Sequence, residues 1–165
     1  MRSLSVVLAT TSLAVCLAAP LAAQNFASAT VTATVQQPIT VTKNNDLSFG
    51  GVFPGVDKSI AVTAGGAAKF TLAGQASTPV NLTFTLPATI ASGGNTLTIA
   101  SWTGHFSVID LTTGGTTFTP SPSATAATLS VTGGLFVYVG ATAQPTVTQA
   151  AGSYSGGMTM TVVYF

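Results

Sequence analysis

From Val80 to Leu86 apolar and polar residues alternate without interruption, with Val80, Leu82, Phe84 and Leu86 on one side and Asn81, Thr83 and Thr85 on the other. A period of two marks a strand with one face on a core and one in water, and this run is predicted to be a central strand. The same period returns at both ends of the chain. Met158, Met160, Val162 and Tyr164 share one face against Thr159 and Thr161, while Ala27, Ala29, Val31, Ala33 and Val35 alternate with Ser28, Thr30, Thr32 and Thr34. Between them, short alternating runs are punctuated by Gly50-Gly51, Gly65-Gly66, Gly93-Gly94, Gly114-Gly115, Gly133-Gly134 and Gly156-Gly157. Paired glycines of this kind are turn signals.

This pattern predicts strands near 29–35, 38–42, 47–49, 59–63, 68–73, 79–86, 96–100, 105–110, 127–131, 135–140 and 158–165, with no helical period after residue 23. Many short antiparallel strands in one domain predict an all-β fold, an immunoglobulin-like antiparallel β-sandwich, with a jelly roll as the alternative. The Thr-, Pro- and Ser-rich stretch from Thr112 to Ser123 reads as a surface loop. Pro38 has no backbone N–H to give to a ladder, so it separates the 29–35 strand from the one that follows and favours an edge.

Residues 1–23 have the form of a secretory leader: Arg2 is their one charge, an apolar core runs from Val6 to Ala19, and Leu21-Ala22-Ala23 offers a small-residue cleavage site. A cut after Ala29 is the lesser alternative, and lipoprotein processing is disfavoured because Val15 precedes Cys16. Removing those 23 of the 165 residues leaves 142, enough for one domain with its own core. Cys16 leaves with the leader, so no disulfide can form and the sheet must hold itself. The expected domains are thus a signal peptide over 1–23, an N-terminal extension over 24–37 and a sandwich over 38–165.

Charge narrows the function classes. After the leader only Lys43, Lys58 and Lys69 stand against Asp46, Asp57 and Asp110, too few and too dispersed for a nucleic-acid stripe or an anionic-membrane patch. No later apolar run reaches membrane-spanning length. Threonine supplies uncharged polarity on the exposed strand faces instead. So little charge suits a packed polymer better than a free monomer, although a neutral, threonine-covered secreted domain fits the composition as well.

The residues of catalysis are not assembled. His105 is the one histidine, and in a strand Asp110, five residues on, would point to the opposite face. No cluster has metal-ligand spacing and no Gly-x-Ser-x-Gly elbow occurs. Gly50 to Gly55 has the opening spacing of a phosphate loop, but Val56-Asp57 stands where Lys and Ser or Thr must follow. Asp46, Asp57 and Asp110 have no setting suited to glycoside chemistry. No enzyme activity, cofactor or metal is therefore expected. Trp102 with His105 could form a small sugar-stacking surface, against the simpler reading of a core tryptophan. An outer-membrane barrel is disfavoured because the face shared with Phe165 carries Val163, Thr161, Thr159 and Gly157, a poor lipid-facing band.

The C-terminal run has a further property: Gly152 lies fourteen residues from the end, Tyr164 is next to last, and alternating apolar residues lie between. This resembles the C-terminal signature of bacterial chaperone-usher pilus subunits. It also looks like the ending of secreted bacterial pilin-like domains of unassigned function, in which Gly-x-Tyr, here Gly152-Ser153-Tyr154, precedes an alternating strand. The resemblance covers the two ends, and the disulfide that many such pilins carry is missing. It implies an incomplete immunoglobulin-like sandwich whose groove takes the N-terminal extension of the next subunit. Val31, Ala33 and Val35 would then be donor teeth, and Gly152, Met158, Met160, Val162 and Tyr164 the acceptor strand and chaperone contact. Implied partners are copies of the chain itself in a filament, a periplasmic chaperone and an outer-membrane usher. The implied location is the periplasm during assembly and the cell surface afterwards. Head-to-tail exchange does not close on itself, so it gives a filament. The mostly alanine teeth gain less on burial than leucine or phenylalanine would, which leaves weak exchange, or exchange within one chain, open. The alternative from a different class is a monomeric secreted carbohydrate-binding or adhesive module.

Overall fold

A computed structural model describes residues 25–165, and the expected leader lies outside the described residues. The described chain has two parts. Residues 25–34 have no regular secondary structure and every residue in them is exposed. Val35–Phe165 is the second part, and it holds ten strands and, among the described residues, no helix. The strands are β1 (Thr40–Asn45), β2 (Lys58–Ile60), β3 (Ala68–Ala73), β4 (Pro79–Thr85) and β5 (Thr89–Ser92). They continue with β6 (Asn95–Ser107), β7 (Thr116–Phe118), β8 (Thr125–Thr128), β9 (Gly134–Gln144) and β10 (Thr159–Tyr164).

The larger sheet runs β1-β3-β9-β6-β5, with β2 paired to the far half of β9 and β7 to the end of β6; the smaller runs β10-β4-β8. Each pairing is antiparallel. Ala68, Phe70, Leu72, Leu135, Val137 and Val139 of the larger sheet meet Val80, Leu82, Phe84 and Ala127 of the smaller in one buried cluster. That cluster makes the fold the antiparallel two-sheet sandwich that the alternation implied. β4 is central in its sheet as expected, and Val80, Leu82 and Phe84 are buried to 0%, 0% and 2% exposure.

Two predicted strands, 96–100 and 105–110, are one long strand with a bulge. Leu97 and Ile99 face the core on odd positions, Gly104 and Phe106 on even ones, and the β6–β9 register slips between Ala100 and Thr103. Ser101 takes a left-handed φ of 50° there. The extra residue of a bulge exchanges the two faces, so a continuous strand reads as two broken runs.

Other expectations are corrected. Residues 29–35 form no strand, since a strand needs a ladder partner and this segment has none among the described residues. Residues 47–49 are held by one backbone bond, Ser48 N–H to the Gly66 carbonyl at 2.8 Å, and form no strand either. The Thr112–Ser123 stretch contains β7, because Phe118 packs against Phe84 and Phe106 at ring-centroid distances of 5.6 and 5.7 Å and pulls its backbone onto β6. β5 was not anticipated.

Candidate functional site: the open edge of the smaller sheet

β10 is paired on one side only. Its ladder to β4 sets Met160 beside Phe84, Val162 beside Leu82 and Tyr164 beside Val80, which turns the predicted apolar face of β10 onto the core. Along its other edge, no described residue pairs with it. Met158, Met160, Val162 and Tyr164 therefore pack on the core yet stay half-buried.

Across the sandwich the facing edge belongs to β1, paired only with β3. Its register sets Val41 beside Leu72 and Lys43 beside Phe70, so both take the core-facing parity, and still all six residues of β1 are exposed. A lysine at such a position protects an edge from casual pairing. Lys43 reaches out of the gap to Asp46 at 2.7 Å, an exposed pair of small energetic weight.

The two edges meet at one end and part at the other. At the closed end the Tyr164 hydroxyl donates to the Gln37 carbonyl at 2.7 Å and accepts from the Gln75 N–H at 2.6 Å, fastening the start of the sandwich to the end of β10. At the other end Lys43, Asn45 and Leu47 share with Met158 the wall of a cavity of about 890 Å³. β1 and β10 thus run in opposite directions along the gap. Phe49, Ile99, Trp102 and Tyr154 line the same cavity, which the 45–52 and 149–158 segments border. Pairing with β5 holds the second segment in place: Ala91 and Ser155 exchange both backbone bonds at 2.9 Å. Gly152 and Gly156 permit the approach, since a Cβ on them would come within 2.6 Å of Ser92 Oγ and 2.7 Å of Ile90 Cγ2. Gly152, singled out by its distance from the terminus, lies outside β10, in the segment before it, and has a packing role against Ser92 of β5. Gln149 adds a clamp, donating from Nε2 to the Thr96 carbonyl at 3.0 Å and to the Tyr154 hydroxyl at 2.7 Å.

A family model for a domain of unknown function, DUF4402, matches residues 21–164. The chain belongs to the DUF4402 family. No curated protein matches it. The DUF4402 match takes in the alternating 27–35 segment together with the sandwich and ends on Tyr164.

The remaining sequence-derived candidates of this DUF4402 domain fall in different places. Val31 and Val35 are each 94% exposed, and Ala33 is exposed as well. Trp102 sits between the main core and the smaller cluster of Leu97, Ile99, Ala141 and Ala143. His105 is not beside it. Past the bulge it faces the outer side of the larger sheet, only 3% exposed, its ring 6.3 Å from that of Tyr138. The expected Trp102–His105 sugar surface is therefore corrected: three residues apart along β6, the two side chains point to opposite faces by ordinary strand alternation.

The outer face holds a polar cluster that strand alternation hid. Asp110 lies beyond the end of β6, so the strand geometry that would separate it from His105 does not apply. Its carboxylate accepts from Lys69 Nζ at 2.7 Å and from the Tyr138 hydroxyl. The Lys69 hydrogen bond, helped by Tyr138, holds the Asp110 carboxyl below the ordinary range; burial, then Asp110, pushes the Tyr138 hydroxyl up to about 12. Lys69 also lies over the Phe136 and Tyr138 rings at 5.6 and 5.7 Å. This cluster pins the 108–111 loop to the sheet. Among the described residues no group of three or more His, Cys, Asp or Glu could hold a metal, and no helix is long and apolar enough to cross a membrane.

Proposed function

We propose that the chain is an exported structural subunit of a bacterial surface fibre, assembled when residues 27–35 of one copy add as a strand to β10 of the next. The observation that carries this reading is the unpaired edge of β10, whose Met160, Val162 and Tyr164, with Met158 just before the strand, pack on the core yet stay half-buried. Strand addition would satisfy the idle backbone groups of that edge and dry the core behind it. Val31, Ala33 and Val35, exposed and without a ladder, have the matching period. A periplasmic chaperone would hold the same edge before an outer-membrane usher hands the subunit on. The activity is binding, without a catalytic step.

The test is a denaturing gel of periplasmically produced protein, unheated and heated, beside a variant lacking residues 24–36. A heat-labile ladder in the full-length lane alone supports the fibre; a monomer band in both lanes sinks it. A second reading, a monomeric carbohydrate-binding or adhesive module, is favoured by Trp102 and Tyr154 in the cavity wall, since sugar rings stack on aromatic faces. Trp102 is the one tryptophan, so its emission reports on that wall. A saturable shift with neutral glycans, in protein that forms no ladder, would favour the module.

A further inference from the structure

Among the described residues of the sandwich after Val35, the five most exposed large apolar side chains are Val131 (84%), Val147 (82%), Phe53 (74%), Phe165 (65%) and Val56 (58%). They fall at its two ends. Val131 lies in the turn where Gly133 accepts from the Gly74 N–H, next to Gln75, which donates to Tyr164, and Phe165 follows Tyr164. Both therefore belong to the closed end, where the chain enters the sandwich at Gln37. Phe53, Val56 and Val147 belong to the cavity end. There the Gly55 N–H donates to the Thr146 carbonyl at 3.0 Å, while Val52, Pro54 and Pro145 line the cavity with Met158.

We infer that these two apolar ends are a second interface between copies of this chain, the cavity end of one subunit seating on the closed end of the subunit whose extension it holds. The inference rests on the strand-addition reading above. An extension lying parallel to β10 would bring its Val35 to the acceptor's Tyr164, where the acceptor's own Gln37 already occupies the hydroxyl, and two chains would claim one exit. The antiparallel direction, that of every pairing in both sheets, brings Val35 beside Met158 at the cavity end. Only Gln36 then separates Val35 from Gln37, which is fastened to the closed end of the donor's own sandwich. Two residue steps reach at most about 7 Å. The donor's closed end cannot stand away from the acceptor's cavity end, and Val131 and Phe165 are drawn against Phe53, Val56 and Val147. This contact removes from water the five side chains least suited to it and leaves threonine-covered faces along the fibre. It also makes the filament stiff where a longer linker would leave it jointed.

The experiment uses the absence of cysteine after residue 16. Val131→Cys/Val147→Cys, produced from the full-length precursor, is treated with a short bis-maleimide and compared on boiled gels with each single variant. Both positions are in exposed turns, and the heat-labile ladder of untreated double variant serves as the check that it folds and assembles. The expected result is a boiling-resistant covalent ladder of trimers and beyond from the double variant and no covalent multimer from either single one. An intact heat-labile ladder without covalent trimers would overturn the end-to-end contact and leave strand addition standing. Covalent dimers from Val131→Cys alone would mean that like ends meet, which overturns it too. No heat-labile ladder from wild-type protein would remove the strand-addition reading, and this inference with it.

Discussion

β4 and β10 are written in the same code and end in different environments. Both alternate large apolar residues with Thr or Asn, save for the outward Val163 of β10, and both turn the inward set onto the same core. On β4 the inward residues are 0–2% exposed, whereas their register partners on β10, Met160, Val162 and Tyr164, remain half-buried. The difference comes from neighbours. β4 has strands on both sides, while β10 has one and faces across a gap an edge strand whose residues are all exposed. Periodicity reports which face of a strand is apolar and says nothing of how many partners the strand will have.

The strongest way to break this comparison is to remove the candidate partner. Deleting residues 24–36 should abolish every species above the monomer on unheated gels and leave the melting temperature of the monomer nearly unchanged, because residues 25–36 are exposed; a large drop in melting temperature would contradict the division drawn here. Next come paired core truncations read by denaturant unfolding of that deleted monomer. Phe84→Ala should cost about 3–5 kcal/mol, and Met160→Ala less, about 1–2 kcal/mol, because part of its side chain is already in water. Equal costs would mean that β10 is as covered as β4. In assembled protein the Met160→Ala penalty should grow, seen as dissociation of the ladder at lower temperature.

Smaller still, Tyr164→Phe should cost about 1–2 kcal/mol by losing the bonds to Gln37 and Gln75, and it should loosen the closed end of the gap. Faster amide exchange confined to Gln75 and the start of β1 would show it. The weakest effect lies on the outer face. Tyr138, raised to about 12 from an ordinary 10, contributes stability that is complete below pH 10 and lost as the pH climbs through 12. Asp110, lowered, contributes above its ordinary 3.8 and loses that contribution as the pH falls through its folded value. Tyr138→Phe should flatten the alkaline arm of a stability profile taken on the monomer and leave Met160→Ala unaffected, since the sites lie on opposite faces.

Much of the fold was legible because burial imposes a period. β3, β4, β9 and β10 were expected within a few residues of where they lie, each having a clean alternation or a solid apolar run. What escaped has a definite physical cause in each case. The bulge at Ser101 exchanges the faces of β6 mid-strand and so split it into two runs, and Trp102 lay in the gap between those runs, where its face was not read against that of His105. β7 lies in a Thr- and Pro-rich stretch whose one strand signal is Phe118, a residue drawn in by Phe84 and Phe106 from distant parts of the chain. The Lys69–Asp110–Tyr138 cluster joins a strand, a loop and another strand, and nothing in residue spacing announces it. Gly152 was legible as a position and not as a reason, which lies in the Ser92 side chain against it.

By itself the sequence determined the all-β class, the central place of the Val80–Leu86 run and the core-facing side of the C-terminal alternating segment, because a pleated backbone sends neighbouring side chains to opposite sides wherever it lies. Only the tertiary structure decided that β10 is an edge, that β1 faces it across a gap closed at Tyr164 and open at Met158, and that the most exposed apolar side chains gather at the two ends. These depend on which strands find hydrogen-bond partners. Partner choice is made by contacts between residues far apart in the chain, and no local period encodes it.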